Sequence, residues 1–548
     1  CMSDFSNEIR AYALKNAIVY GKVDAGKILP KLFQHGLDKK DIGKVMPEIT
    51  KAVSEISALS PEKRIQEFEK FKDYIKEREE KEKTLPELPN VKGMVITRLP
   101  PEPSKYLHIG HAISFVLNYI YAKRYNGRCL LRFEDANPEK VSQEYVDAIL
   151  DDIKNYLDIK FDDLRFVSDD LPLLYDYAEK LIKKEKAYMC FCSREIMQDF
   201  RHKGKECECR KNKEDKNLKE WKNFLKGDYM KGEAILRIKG DMQSKNHVMR
   251  DSVIFRAVAE KHFRHGAKYK VWPMYDFYNP IEDSLMGVPH VLRSNEFEQR
   301  VELQDYIKEA LGLKKQTIIQ YGRFNVIDAT TKGREIRELI ESGELIGWDD
   351  PRLVTLRALK RRGIKKEVIY ALVNEVGLSK YAVNLDFNMI AAISRKLLDK
   401  STERYYFVKA PKKLSLSSGI KIKEVKIKIH PDKEEYRVVK VGKDIFISQE
   451  DFNNFKGKEV RLMNLFNVRL GEKSEILNSD NMKVQKIQWV SSGFKAKILM
   501  DDGKFIEGLV EDGIKRLKNS EIVQLERFGF VKLDKKEKEE YEFWFTHK

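Results

Sequence analysis

Two imidazoles, His108 and His111, enclose an isoleucine and Gly110 where a run of prolines gives way to a helical pattern. Histidines one turn apart can hydrogen-bond phosphate oxygens as charge develops on them. Gly110 lets a ligand approach the backbone, and a helix start adds free N–H groups and the positive end of its dipole. The chemistry is anion handling. Three elements must position the pair. Residues 95–97 read as a short buried strand. Pro100, Pro101 and Pro103 then exclude helix, because each fixes φ and removes an N–H. Ala112, Phe115, Val116, Tyr119 and Ile120 recur at helical spacing, so a helix opens on the histidines.

Four of the six cysteines form a second constellation: Cys190 and Cys192, fourteen residues, then Cys207 and Cys209. Four thiolates divided by a short loop can close a tetrahedral zinc site with no open position, and the metal would then be structural. Disulfides suit a cytoplasmic chain poorly, and buried free thiols are the other alternative. His202 is nearby but redundant as a ligand.

Around these sites short apolar strands alternate with amphipathic helices, the α/β signature. Residues 129–133 read as a second strand, ending in Glu134 and Asp135. Acidic groups there occupy the carboxyl end of a strand, where open parallel sheets meet ligands. Helices are expected over residues 142–156 and 171–185, and strands near 233–238 and 251–256. The sheet is expected to resume within 269–283. The absence of Gly-x-Gly-x-x-Gly and P-loop motifs argues against ordinary dinucleotide or kinase-type binding.

At 548 residues several cores are needed. Lys+Arg exceeds Asp+Glu by 104 − 87 = 17, which suits a polyanionic partner. No membrane span or signal-peptide core is legible, so a cytoplasmic location is expected. Cys1 before Met2 is unusual for a natural start. Residues 1–83 read as helices, with stripes at Ile9, Tyr12, Ala13, Ala17 and Ile18 and at Val45, Ile49, Val53, Ile56 and Leu59. Ser60 and Pro61 mark a helix start. A charged run over 76–83 and a proline-rich stretch over 84–90 read as a linker. Residues 321–400 are helical and basic. Beyond Tyr405 short strands prevail, with Ile420, Ile422, Val425, Ile427 and Ile429 facing a core across a bulge near Glu424 and a turn at Gly503.

The run from Pro100 to His111 resembles the signature of class I aminoacyl-tRNA synthetases, and specifically of their glutamyl/glutaminyl branch. The stretches from Gly347 to Leu353 and from Thr355 to Gly363 resemble the same branch, and the all-β tail is similar to its archaeal/eukaryotic members. The resemblance implies a multidomain protein. Residues 1–88 would form an N-terminal helical domain. Residues 89–320 would form a Rossmann-type α/β catalytic domain, with a zinc-bearing insertion at about 187–270. A second ATP-motif loop and helical connecting subdomain would occupy 321–404, and anticodon-binding β-barrels 405–548.

The activity implied is glutamate–tRNA ligation. Glutamate attacks ATP to give glutamyl-adenylate, and the acyl group passes to the terminal adenosine of tRNA(Glu), with tRNA(Gln) as a second candidate. ATP, carrying Mg²⁺, would be held by His108, Gly110, His111 and Lys332. The substrate would be held by Arg98, pairing with its side-chain carboxylate, by Glu134, receiving the ammonium, and by Pro100, Ser104, Tyr275, Asn279 and Arg293. The basic stretch at 355–363 would lie against the tRNA, and protein partners would be met through the N-terminal helices. A glutaminyl enzyme and a catalytically silent tRNA-binding paralogue are the alternatives. Two positions depart from the family pattern. Lys105 stands where glycine is usual. The second ATP motif reads Ala329-Thr-Thr-Lys332-Gly333-Arg334, with Gly333 under the expected lysine and Lys332 or Arg334 as the candidate cation.

Overall fold

The computed structural model describes residues 4–21, 23–76, 84–327, 329–417 and 419–548. Cys1 and positions 77–83 of the charged run lie outside the described residues. The chain forms two compact units, Cys1–Lys83 and Thr84–Lys548. Among the described residues no helix is long and apolar enough to cross a membrane.

The first unit packs helices Ser6–Tyr20, Ala25–Leu32, Ile42–Ser57 and Pro61–Phe71. Ile9, Tyr12, Ala13 and Ala17 meet Val45, Ile49 and Ile56 in its core. Ser60 caps the last helix by accepting from the Lys63 N–H, with Pro61 in the first turn, as their sequence predicts. Ile18 is 39% exposed, not part of the stripe, because it lies about 100° round the helix from Ala17.

In the second unit the proline-rich stretch is packed instead of free. Leu85 and Leu88 are buried in the core around helix Ile109–Arg124, and Tyr121 donates to the Pro86 carbonyl at 2.8 Å. Strands Ile96–Leu99, Arg128–Phe133 and Asp163–Phe166 form a parallel sheet, with Arg98 opposite Leu130 and Leu99 opposite Leu131. Gly127 makes the return from the helix: a Cβ there would stand 1.9 Å from the Val95 carbonyl. The helix expected over 142–156 starts at Gln143 and widens to a π-helix over Asp152–Tyr156. Parallel pairing resumes with His290–Ser294 beside Thr317–Tyr321. The expected resumption within 269–283 is corrected: Val271–Pro273 is the edge of an antiparallel sheet with Ala187–Cys190, Ile235–Ile238 and Val253–Ala257, and Tyr275–Leu285 is helix. Its apolar run fits either element, and periodicity alone does not decide between them.

The C-terminal residues build a seven-stranded sheet whose two edges are both taken by the short segment 404–409. Arg404–Tyr405 pairs with Ile522–Leu525, and Phe407–Lys409 with Phe505–Glu511. Alternation along this segment sends Tyr405 and Phe407 into one core and Tyr406 and Val408 into another. Gly503, at φ +82°, turns the hairpin between Gly493–Leu499 and Phe505–Glu511. The strand expected from Ile420 begins at Glu424, so the break in alternation is a strand start and not a bulge.

Helix Leu356–Arg362 is joined at both ends. Leu356 N–H donates to the Leu107 carbonyl, and Thr355 bridges His108. At the other end Arg361 grips Asp534 at 2.9 and 3.1 Å and Asp349 at 2.7 Å, while Arg362 is buried against the Phe545 and Thr546 carbonyls. Arg361 and Arg362 therefore face protein, a correction to the solvent-facing basic stretch.

Candidate active site

His108 and His111 sit where sequence predicts, at the start of helix Ile109–Arg124. They cap it reciprocally. His108 Nδ1 accepts from the Gly110 N–H at 3.1 Å, and His111 Nδ1 from the His108 N–H at 3.2 Å. Their rings lie 3.8 Å apart, centroid to centroid. A neutral imidazole that accepts at Nδ1 carries its proton on Nε2, so each ring presents a donor. Both rings are held neutral. Burial, then the charges of Lys105 and Arg323, push His108 down to about 3; burial and His108 push His111 well below its ordinary value.

The expected free helix N–H groups are not free. Ile109 N–H donates to the Val354 carbonyl, Gly110 N–H to His108, and His111 N–H to the His108 carbonyl. The anion-binding donors here are imidazoles. Gly110 serves them, since a Cβ would lie 3.0 Å from His108 Cε1.

Two hydrogen bonds stitch the proline turn to the second strand: Glu134 N–H to the Pro101 carbonyl at 2.8 Å and Ser142 N–H to the Pro103 carbonyl at 3.1 Å. Pro100 is half-buried at the end of the first strand. Ser104 donates to Glu102, and its carbonyl accepts from Arg337 at 3.3 Å.

Beside the turn lies a buried network. Arg98 Nε and Arg132 Nη1 both donate to Asp283 Oδ1, at 3.0 and 2.7 Å, and Arg132 Nη2 donates to Glu134 at 3.1 Å. Asn279 donates to the same Glu134 oxygen at 3.0 Å, and the Tyr278 hydroxyl to the other at 3.4 Å. Burial favours a neutral Asp283, but Arg98 and Arg132 outweigh it and hold the carboxylate below its usual range. For Glu134 burial prevails and raises its pKa against the pull of Arg132 and Arg98. Burial also lifts Glu282, next in chain to Asp283, to about 8.

The Tyr275 hydroxyl, raised to about 12 by burial and then by Glu134, also feels Arg293, Arg98 and Asp283, so these groups surround one cavity. Arg293 donates to Gln304 at 2.9 Å and to Tyr275 at 3.5 Å. Its Nε and Nη2 are buried without a partner among the described residues, as is Asn279 Oδ1. Unpaired buried donors are costly, and a ligand carboxylate or hydroxyl would satisfy them.

Arg98, Glu134, Tyr275, Asn279 and Arg293 are thus brought together. Lys332 and Arg334 are not: their side chains are 83% and 88% exposed and face Glu335 and Glu338. Sequence reasoning missed Arg132 and Asp283. The signal for Arg132 was an arginine inside an otherwise apolar strand.

In the antiparallel sheet's loops the four cysteine sulfurs lie within 4.8 Å of one another. Cys190 and Cys207 are buried, 3.9 Å apart, as are Cys192 and Cys209 from each other. Buried Arg237 donates to both Cys190 and Cys207 at 3.7 Å, placing a positive charge against the thiols.

A parallel sheet whose first strand leads through a proline turn to a His-Ile-Gly-His helix defines the class. Residues 94–400 match the family described as tRNA synthetases class I (E and Q), catalytic domain, and 402–490 and 486–534 match its two anti-codon binding domains. The chain belongs to this family, with a catalytic domain followed by anticodon-binding domains. It is 37% identical to the Glutamate–tRNA ligase of Pyrococcus furiosus, over 98% of each chain. It is 36% identical to that of Methanocaldococcus jannaschii, over 99% of this chain and 100% of the relative. It is 37% identical to that of Nitrosopumilus maritimus, over 100% of both.

Proposed function

We propose that the chain is a glutamate–tRNA ligase acting on tRNA(Glu). The carrying observation is the charge around Tyr275. Arg98, Arg132 and Arg293 face Asp283 and Glu134, three cations against two anions, which leaves one positive charge uncompensated. Glutamate, with two carboxylates and one ammonium, supplies the missing negative charge. Glutamine, a neutral zwitterion, does not. Full-length likeness to archaeal glutamate–tRNA ligases supports the same choice.

In this reading Arg98 and Arg293 meet substrate carboxylates, Glu134 takes the ammonium, and Tyr275, Asn279, Ser104 and Pro100 shape the cavity. The glutamate carboxylate attacks the α-phosphorus of ATP, and pyrophosphate leaves. The Nε2–H groups of His108 and His111 donate to the oxygens on which charge collects, beside Gly110. Being neutral, they stabilise by hydrogen bonding and give up no proton. A tRNA terminal hydroxyl then takes the acyl group. Mg²⁺ would arrive with ATP. Cys190, Cys192, Cys207 and Cys209 would hold a structural zinc ion, for which soft sulfur donors within 4.8 Å are a fitting set. The domain limits are proposed as 1–88, 89–320, 321–404 and 405–548, with the last region meeting the anticodon through β-barrels, and the location as cytoplasmic. Whether tRNA(Gln) is also charged is a matter for the same assay.

The test is glutamate-dependent ATP–pyrophosphate exchange with tRNA present, followed by charging with glutamate and with glutamine. Exchange and charging with glutamate are expected. Charging with glutamine alone would make it a glutaminyl enzyme. The solvent-facing Lys332 and Arg334 favour one further reading, a silent tRNA-binding paralogue, which tight tRNA binding without exchange would establish.

A further inference from the structure

The two departures from the family pattern touch each other. Lys105 leaves the proline turn three residues before His108, and its ammonium donates to the Thr331 carbonyl at 3.2 Å. Gly333 lies against its stem: a Cβ at 333 would stand 3.0 Å from Lys105 Cβ and 3.2 Å from Cδ. The glycine is not needed for backbone geometry, because its φ is not positive. What it provides is room for Lys105.

The other local cations are committed elsewhere. Lys332 and Arg334 are turned to solvent towards Glu335 and Glu338, and Arg323 is paired with Glu296 at 2.9 Å. Lys105 is instead half-buried and close enough to both imidazoles that its charge opposes their protonation. An ammonium among neutral donors completes a phosphate site, supplying the charge that the two histidines lack.

We propose that Lys105 is the cation that meets the ATP phosphates, so that the positive charge ordinarily carried by the second loop reaches the site from the first turn, through the space that Gly333 leaves. This rests on the ATP-dependent reading above. If it holds, the loop from Ala329 to Gly333 contributes backbone to Lys105 in place of a side chain to the nucleotide.

The test uses the full-length, metal-loaded protein with Lys105→Gln, which keeps a donor for Thr331 and removes the charge, and with Lys105→Gly combined with Gly333→Lys. ATP and adenosine binding are measured at equilibrium alongside the KM for ATP and for glutamate in exchange. Lys105→Gln is expected to weaken ATP and raise its KM about tenfold or more, with adenosine binding and the glutamate KM within about twofold of the parent. The double variant is expected to bind ATP more tightly than Lys105→Gly alone. Equal weakening of ATP and adenosine would reduce Lys105 to packing and overturn the proposal. So would an ATP KM that rises in Lys332→Ala and not in Lys105→Gln. A parent protein without exchange would defeat the ligase reading, while the ATP-against-adenosine comparison would still report on Lys105.

Discussion

Arg132 Nη1 lies 2.7 Å from Asp283 Oδ1, although 151 positions separate them in the chain. The same carboxylate oxygen receives Arg98, so one aspartate orients two guanidinium groups at the floor of the cavity. Lysine can replace the charge of Arg132 but not its fork, which reaches Asp283 and Glu134 together. Arg132→Lys is expected to lower kcat/KM for glutamate by about 100-fold or more, and to change the KM for ATP far less. Steady-state exchange kinetics varying each substrate in turn would decide; a defect shared equally by both substrates would contradict the assignment.

The two histidines combine a fold role with a chemical one, and substitutions can separate them. His111→Ala is expected to slow adenylate formation far more than it weakens tRNA binding. His108→Asn keeps a good helix cap, whereas His108→Ala is expected to cost about 1 kcal/mol of stability as a cap is lost. Exchange should fall in both position-108 variants. Thermal melts beside exchange rates test this, and an Asn variant with full activity would remove the phosphate role.

Serine at Cys190 and Cys207 should release zinc and loosen the antiparallel sheet that carries them. Elemental analysis gives the metal content, and limited proteolysis the state of the segment. Unchanged zinc in the double variant would rule the site out.

Glu282 supplies a pH signature. Its folded pKa, raised to about 8 by burial, lies above the ordinary value of 4.5. The folded chain therefore holds a proton that the unfolded chain releases, and stability is lost as pH rises through 8. Between pH 7 and 9 this amounts to about 1.4 kcal/mol. Glu282→Gln should flatten the decline in denaturation midpoint over that range. Parallel pH curves for parent and variant would refute the assignment.

Much of the site was legible because its parts are local. The strand, proline turn and helix that carry His108 and His111 lie within a short run, and each announces itself by residue type or period. Arg98, Glu134, Tyr275, Asn279 and Arg293 could be named through family likeness, but their partners could not. Asp283 looks like any acid on a helix until the fold sets it between two strand arginines. Val271–Pro273 was misplaced because a short apolar run carries no sign of which sheet it will join. The free helix N–H groups were misjudged because the Val354 carbonyl that occupies one of them lies far along the chain. The contact between Lys105 and Gly333 is of the same kind: each residue alone reads as a lapse from pattern.

Helix Leu356–Arg362 has seven residues, which at 1.5 Å per residue makes a rod about 10 Å long. One end abuts the backbone of His108; at the other, Gly363 is so close to Thr546 that a Cβ would lie 3.1 Å from its hydroxyl. A stiff rod with no slack at either end works as a lever. A ligand that tilts the C-terminal sheet must also displace the imidazole pair, or pull one of these two seats apart.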